Sequence, residues 1–396
     1  MSSDKPTIIL FSTADWNEPY WTNKQHTAEI LVKLGCSVVY VESIGLRAPK
    51  LGSGKDIKRI LNRIAVGAGG LLKGAKVIKP NLAVLAPLVI PNPNKNKLIA
   101  ALNTYILRFL VGREINQRGK EELIIWSYHP FIMPLLDGLN KGTLVYHCVD
   151  DLSKVPGVPE AAFIEAEEQF LKLASHVFVT TKPLEERCKP FSDSVHFHSN
   201  VVDFEHFNNP RVLSSGFNIS TSDAKKAVYH GVLSDFKVDF SLLLDVAKRL
   251  PEVEFYLLGT EREGQKSPVF AELCQLDNIF HLGFVPYDDL PALLARMDVG
   301  LLPTLINDYT RSMFPMKYYE YIAAGLPVVS TKIEFTTYTS NTALTVADNA
   351  QCFGNAIVDA VAKPKLTREQ SEKLVGSNTW LARTKAMLDI IKGSEV

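Results

Sequence analysis

Cysteine is scarce in this chain: the five residues (Cys36, Cys148, Cys188, Cys274, Cys352) contain no C-x-x-C pair. That spacing suggests neither a zinc site nor a disulfide framework, and a reducing, cytoplasmic setting fits best. Net charge is also missing, since 43 Lys and Arg balance 43 Asp and Glu, so nothing overall points to nucleic acid as a partner. No stretch approaches the roughly 18 to 20 consecutive apolar residues that cross a bilayer. The opening MSSDKPTIILFSTADW turns polar after one strand's length and does not build a secretory leader. The loop after the first apolar run reads ADWNEPYW at 14–21 in place of G-x-G-x-x-G, which disfavours a nicotinamide dehydrogenase. No D-x-D stands at a convincing strand end, so metal independence is expected.

What is present is an alternation of short apolar runs and helical patterns. Thr7–Ser12, Cys36–Glu42, Leu123–Trp126, Leu144–Cys148 and His176–Thr180 read as buried parallel strands. The pattern restarts at Lys226–His230, Val253–Leu258, Ile279–His281, Val299–Leu302 and Pro327–Ser330. With 396 residues, 46% of them hydrophobic, two cores are expected. The fold class predicted is α/β, with two Rossmann-like doubly wound domains facing a cleft. Residues 1–212 form the first domain and the Asn-, Ser- and Pro-rich 213–222 the linker. Residues 223–365 form the second domain, and 366–396 terminal helices that pack back towards the first.

The most informative segment is FPMKYYEYIAAGLPVVST, 314–331. Pro315 suits the first turn of a helix that carries Lys317 and Glu320 on one face near its N-terminal end, and Gly325 and Pro327 end it before a strand. A cation at that helix end suits a diphosphate, whereas a carboxylate suits ribose hydroxyls. An ordinary surface ion pair is the other reading.

PMKYYEYIAAGLPVV matches P-x-K-x-x-E-Y-x-A-A-G-x-P-V-V and so resembles the retaining group 1 glycosyltransferases with the GT-B fold, in particular the teichuronic-acid and exopolysaccharide transferases. The resemblance implies a donor ribose at Glu320 and a diphosphate near Lys317, with Pro315 and Met316 adjoining them. VYHG at 228–231, followed by Lys237, is similar to the family's glycine turn, which implies Gly231 and Lys237 beside the diphosphate. HLGFVPYDDLP at 281–291 is similar to the turn that meets the nucleobase, which implies Phe284 and Val285 as its neighbours. Many relatives carry a second glutamate eight residues before Glu320; this chain has Ser312 there.

On the acceptor side, Asp150 and Asp151 follow a strand in YHCVDD and offer paired carboxylates for acid–base work, or else cap the next segment. His129 ends another strand and is a further candidate. Residues 46–80 hold nine Lys or Arg and one Asp, with Ile57, Ile60, Leu61 and Ile64 at helical spacing. That pattern reads either as a basic amphipathic helix on anionic membrane or as a solvated loop packed on the domain.

The expectation is an enzyme, a glycosyltransferase. It takes a sugar from a nucleotide-sugar donor, UDP favoured, to a cell-envelope glycan or polyprenyl-linked acceptor, at the inner face of the plasma membrane and without nucleic acid. A nucleotide-sugar epimerase and a degenerate scaffold subunit are the alternatives.

Overall fold

The computed structural model describes residues 6–44, 74–87, 97–118, 122–137, 139, 142–210, 216–261 and 265–393. Most of the basic stretch 46–80 and part of the expected linker therefore lie outside the described residues. The chain forms two compact units, residues 1–198 with 383–396, and residues 199–382.

The first unit is an eight-stranded sheet in the order β3-β4-β2-β1-β5-β6-β7-β8. Its strands are β1 Thr7–Phe11, β2 Ser37–Val41, β3 Lys76–Lys79, β4 Leu82–Leu85, β5 Leu123–Ser127, β6 Thr143–Cys148, β7 His176–Val179 and β8 Val195–Phe197. All pairs are parallel except β3 with β4, an edge hairpin that the apolar pattern did not disclose. The central strands TIILF, SVVYV and LIIWS are apolar along their length because helices cover both faces of the sheet. These helices include α1 Asn23–Lys33, α2 Lys97–Arg118, α3 Glu160–Leu173 and α4 Lys182–Cys188. Strand order reverses at β1, which has β2 on one side and β5 on the other.

The second unit is a parallel sheet ordered β11-β10-β9-β12-β13-β14. Its strands are β9 Lys225–His230, β10 Val253–Leu258, β11 Ile279–Gly283, β12 Val299–Leu302, β13 Val328–Thr331 and β14 Leu344–Ala347. Here β9 is the strand where the order reverses. The crossover from β12 to β13 contains α5, Lys317–Ala323; α6 Arg368–Val375 and α7 Trp380–Ile391 follow β14.

The unit boundary falls earlier than composition suggests. Residues 199–212 were read with the first domain, yet Val202, Phe204 and Phe207 lie in one core with Tyr318, Tyr319 and Ile322 of the second. Asn208 donates to the Ala323 carbonyl at 2.7 Å. Likewise only 383–396 group with the first unit, where Met387 and Leu388 fill its core. Helix α6 instead contributes Val375 to the second.

Two features of these cores are open to test. A Cβ at Gly300 of β12 would collide with the Tyr321 ring of α5, so Gly300→Ala is expected to cost roughly 1–3 kcal/mol by overpacking. Urea unfolding measures this, and an unchanged midpoint would contradict the packing. Three histidines, His129, His147 and His230, are 1%, 0% and 5% exposed. Burial lowers the pKa of each, that of His129 to about 4. The unfolded chain binds protons near pH 6.5 that the fold refuses. The stability is therefore present above about pH 6.5 and lost as pH falls towards 4, by up to about 3 kcal/mol for His129 alone. Unfolding midpoints across that range should fall less steeply for His129→Asn.

Candidate functional site

The carboxyl end of β9 is where the second unit concentrates its chemistry. Gly231 has φ 110, a region that favours glycine. A Cβ there would lie 2.6 Å from Lys317 Cε and 2.8 Å from its Nζ, so the ammonium sits directly over the turn. Gly259, which follows β10, is packed so tightly that a Cβ on it would run into the Gly231 carbonyl. His281 Nε2 is 2.7 Å from the Gly259 carbonyl oxygen, which joins the end of β11 to the same edge.

Tyr321 locks α5 onto β9. Its hydroxyl lies 3.2 Å from the Val228 carbonyl and accepts from the His230 backbone N–H at 3.2 Å. With that turn of helix held, Lys317 lies 5.3 Å from the centre of the Tyr229 ring. One turn on, Glu320 is 6% exposed, and its Oε2 lies 3.2 Å from His230 Nε2. The angle is poor for a hydrogen bond, so this is a close polar contact rather than a well-formed bond. Burial lowers the His230 pKa despite Glu320, so the imidazole is neutral at pH 7. The sequence pattern brought Gly231, Lys317 and Glu320 forward but missed His230. Its place immediately before a glycine turn was the available signal. Helix α5 has seven residues, too few for the expected helix-end field to matter much, and the positive charge there is that of Lys317.

The other expected donor residues are arranged unequally. Lys237 Nζ is 4.7 Å from the centre of the Tyr309 ring and 5.4 Å from that of Phe236, a seat between aromatic faces. Phe284 is 39% exposed and offers a ring to a ligand, whereas Val285 is 4% exposed and fills the core. Val285 presents backbone only. Pro315 is buried and Met316 half-buried; the Met316 carbonyl accepts from the Glu320 N–H at 3.3 Å. Ser312 ends the short helix Asp308–Arg311 and supplies no carboxylate.

In the first unit the paired aspartates separate into two roles. Asp151 accepts from the backbone N–H and hydroxyl of Ser153 at 3.1 and 2.5 Å and pairs with Arg187 at 2.6 Å. It caps the turn after β6, and Arg187 also reaches Glu167 at 3.0 Å. Burial raises the Glu167 pKa against the pull of that arginine. Asp150 is half-buried, and its carboxylate makes no hydrogen bond or ion pair with a described residue. His129, after β5, has both ring nitrogens without a hydrogen-bond partner in a buried setting.

Residues 224–363 match the family Glycosyl transferases group 1. A Bacillus subtilis (strain 168) protein, TuaH, whose name assigns it as a teichuronic acid biosynthesis glycosyltransferase, is 26% identical over 232 residues. The match takes in 54% of this chain and 57% of TuaH, so the chain spans little more than half the length of that relative. The fold is similar to that of sucrose-phosphate synthase from Thermosynechococcus elongatus, with TM-score 0.72, 14% identity and 98% of each chain covered. It is also similar to Anabaena HepE in complex with UDP (TM-score 0.61, 13% identity, 98% of this chain and 100% of that one). An E. coli trehalose-6-phosphate protein bound with UDP-2-fluoro glucose gives TM-score 0.64 at 9% identity, over 98% of this chain and 99% of that one. Residues 224–363 thus match the group 1 glycosyltransferase family, and the chain as a whole has a fold similar to that of these GT-B structures.

Proposed function

We propose that the chain transfers a sugar, with retention, from a nucleotide-sugar donor to a hydroxyl of a cell-envelope glycan or polyprenyl-linked acceptor. The observation that carries this reading is Lys317 seated over the Gly231 turn with Glu320 one helical turn away. UDP is the favoured nucleotide, since HepE and the trehalose-6-phosphate protein are described with UDP and UDP-2-fluoro glucose.

In this reading Glu320 accepts hydrogen bonds from the ribose hydroxyls, and neutral His230 keeps its carboxylate turned to the turn. Gly231 leaves room for the diphosphate. Lys317 and Lys237 carry positive charge to it, so the leaving group needs no divalent metal. Phe284 packs on the nucleobase, and the backbone of Val285, Pro315 and Met316 completes the donor seat. The bond from the sugar's anomeric carbon to the diphosphate breaks as the acceptor oxygen bonds to that carbon on the same face, which retention in one displacement requires. Asp150 orients that hydroxyl or takes its proton. Asp151 positions the loop, and His129 adjoins the acceptor as a neutral imidazole. Work at the inner face of the plasma membrane follows from a lipid-borne acceptor, with the basic residues 46–80 as one contact to anionic lipid.

At about 100 times Kd, UDP should stabilise the protein by about 2.7 kcal/mol. Glu320→Ala should remove this response. Lys317→Ala should abolish the advantage of UDP over uridine, roughly a 10- to 100-fold effect. Thermal-shift titration with UDP, GDP, ADP and CMP reads both; silence towards all four would sink the donor site and favour a scaffold. Asp150→Asn should lower transfer about 10²- to 10⁴-fold with the UDP response intact. Asp151→Asn should instead lower stability, by about 1–2 kcal/mol, because Arg187 loses one of its two carboxylate partners. Product analysis separates transfer from epimerisation, which alters the donor sugar without any acceptor.

A further inference from the structure

The nine residues from Asn200 to Asn208 stand at the start of the second unit, well ahead of β9, and contribute no strand to its sheet. Three of their side chains nevertheless reach backbone carbonyls on two separate donor-side segments. Asn200, 5% exposed, donates to the Phe314 carbonyl at 2.5 Å, just ahead of α5. Asn208 donates to the Ala323 carbonyl at the other end of that helix. His206 Nε2 lies 3.0 Å from the Tyr287 carbonyl oxygen, in the turn that follows Phe284. A carbonyl only accepts, so this contact places an imidazole proton on Nε2.

Packing fixes the reach of His206. Residues Phe204–Asn208 form one short helix, which Asp203 caps by accepting from the His206 backbone N–H at 3.2 Å. Phe204 and Phe207 anchor it in the core with Tyr318 and Tyr319 of α5. From that base the imidazole lies flat on the Tyr287 ring, with centroids 4.3 Å apart and planes 1° apart, while Phe207 meets the same ring edge-on at 5.5 Å. Burial and then the Glu320 carboxylate raise the pKa of the Tyr287 hydroxyl far above its usual value, so this ring stays neutral near that charge. The segments of Phe284 and Glu320 are distant in sequence, and this one helical turn is bonded to both. A nucleotide would span them, so an error of about 0.5 Å in their spacing weakens its binding.

We propose that His206 is a positioning residue for nucleotide recognition: its hydrogen bond to the Tyr287 carbonyl holds the Phe284 turn at a fixed spacing from Glu320, so that nucleobase and ribose are recognised as one unit. His206 acts through the turn and not on the nucleotide. The inference rests on the donor-site reading of Phe284 and Glu320. The two fail separately, because Glu320→Ala tests the site whereas His206 variants test the spacing.

The test is titration calorimetry of the full chain with UDP, GDP and ADP. His206→Phe keeps a flat ring on Tyr287 without a donor and should raise Kd for the preferred nucleotide about tenfold, the scale of one lost hydrogen bond. His206→Gln supplies an N–H at a similar reach and should stay within about threefold of wild type. In His206→Phe the spread of Kd among the three nucleotides should also narrow, because a base on a loosely held turn is read poorly. Arg368→Ala is the structural control: it removes the ion pair with Glu205 on the same short helix and should leave every Kd unchanged. Unchanged Kd values in His206→Phe, while Glu320→Ala abolishes binding, overturn the inference and keep the donor site. Equal weakening of all three nucleotides by His206→Phe and His206→Gln also overturns it, by reducing His206 to a packing role. No binding by wild type overturns both readings.

Discussion

The cluster of Gly231, Lys317 and Glu320 depends on how closely two stretches of backbone approach at the carboxyl edge of the second sheet. Gly231 and Gly259 meet with no room for a side chain between them, and Gly300 lets the Tyr321 ring lie flat on β12. Because nothing intervenes, α5 settles onto β9 and its tyrosine hydroxyl bonds to the strand backbone. The positions of Lys317 and Glu320 follow from that seating. A side chain at Gly300 would push on the Tyr321 ring and so on the helix, one at Gly259 would push on the Gly231 backbone, and one at Gly231 would strike Lys317 itself.

Partners decide what each carboxylate can do. Glu320 faces an imidazole that burial keeps neutral, so no full positive charge at that contact neutralises it. Asp151 is the same kind of group, yet Arg187 and Ser153 take up its oxygens. Its neighbour Asp150, one residue earlier, keeps a carboxylate without such partners among the described residues. Adjacent aspartates of identical chemistry are thus divided between holding a turn and keeping a carboxylate without a described partner.

The two units also use charge differently. In the second, cations are placed singly and supported by aromatic faces, Lys317 near Tyr229 and Lys237 between Phe236 and Tyr309. In the first, described cations meet carboxylates, Lys79 with Glu29 and Arg113 with Glu114. Single supported charges suit a small anion held at one point.

Ten of the described strands, the two-sheet architecture and the Lys317–Glu320 pair were legible in the sequence, because fully buried parallel strands need unbroken apolar runs and a helix fixes which residues share a face. The edge hairpin β3–β4 was not, since its exposed strand KVIK has no buried face to impose a pattern. Nor was the unit boundary, because Val202, Phe204 and Phe207 look alike in whichever core they fill. His230 and Asp151 show the same divide. Local sequence determined which residue types stand at the ends of the strands, and only the tertiary structure decided which of them are paired, buried or open, because those properties belong to contacts between residues distant in the chain.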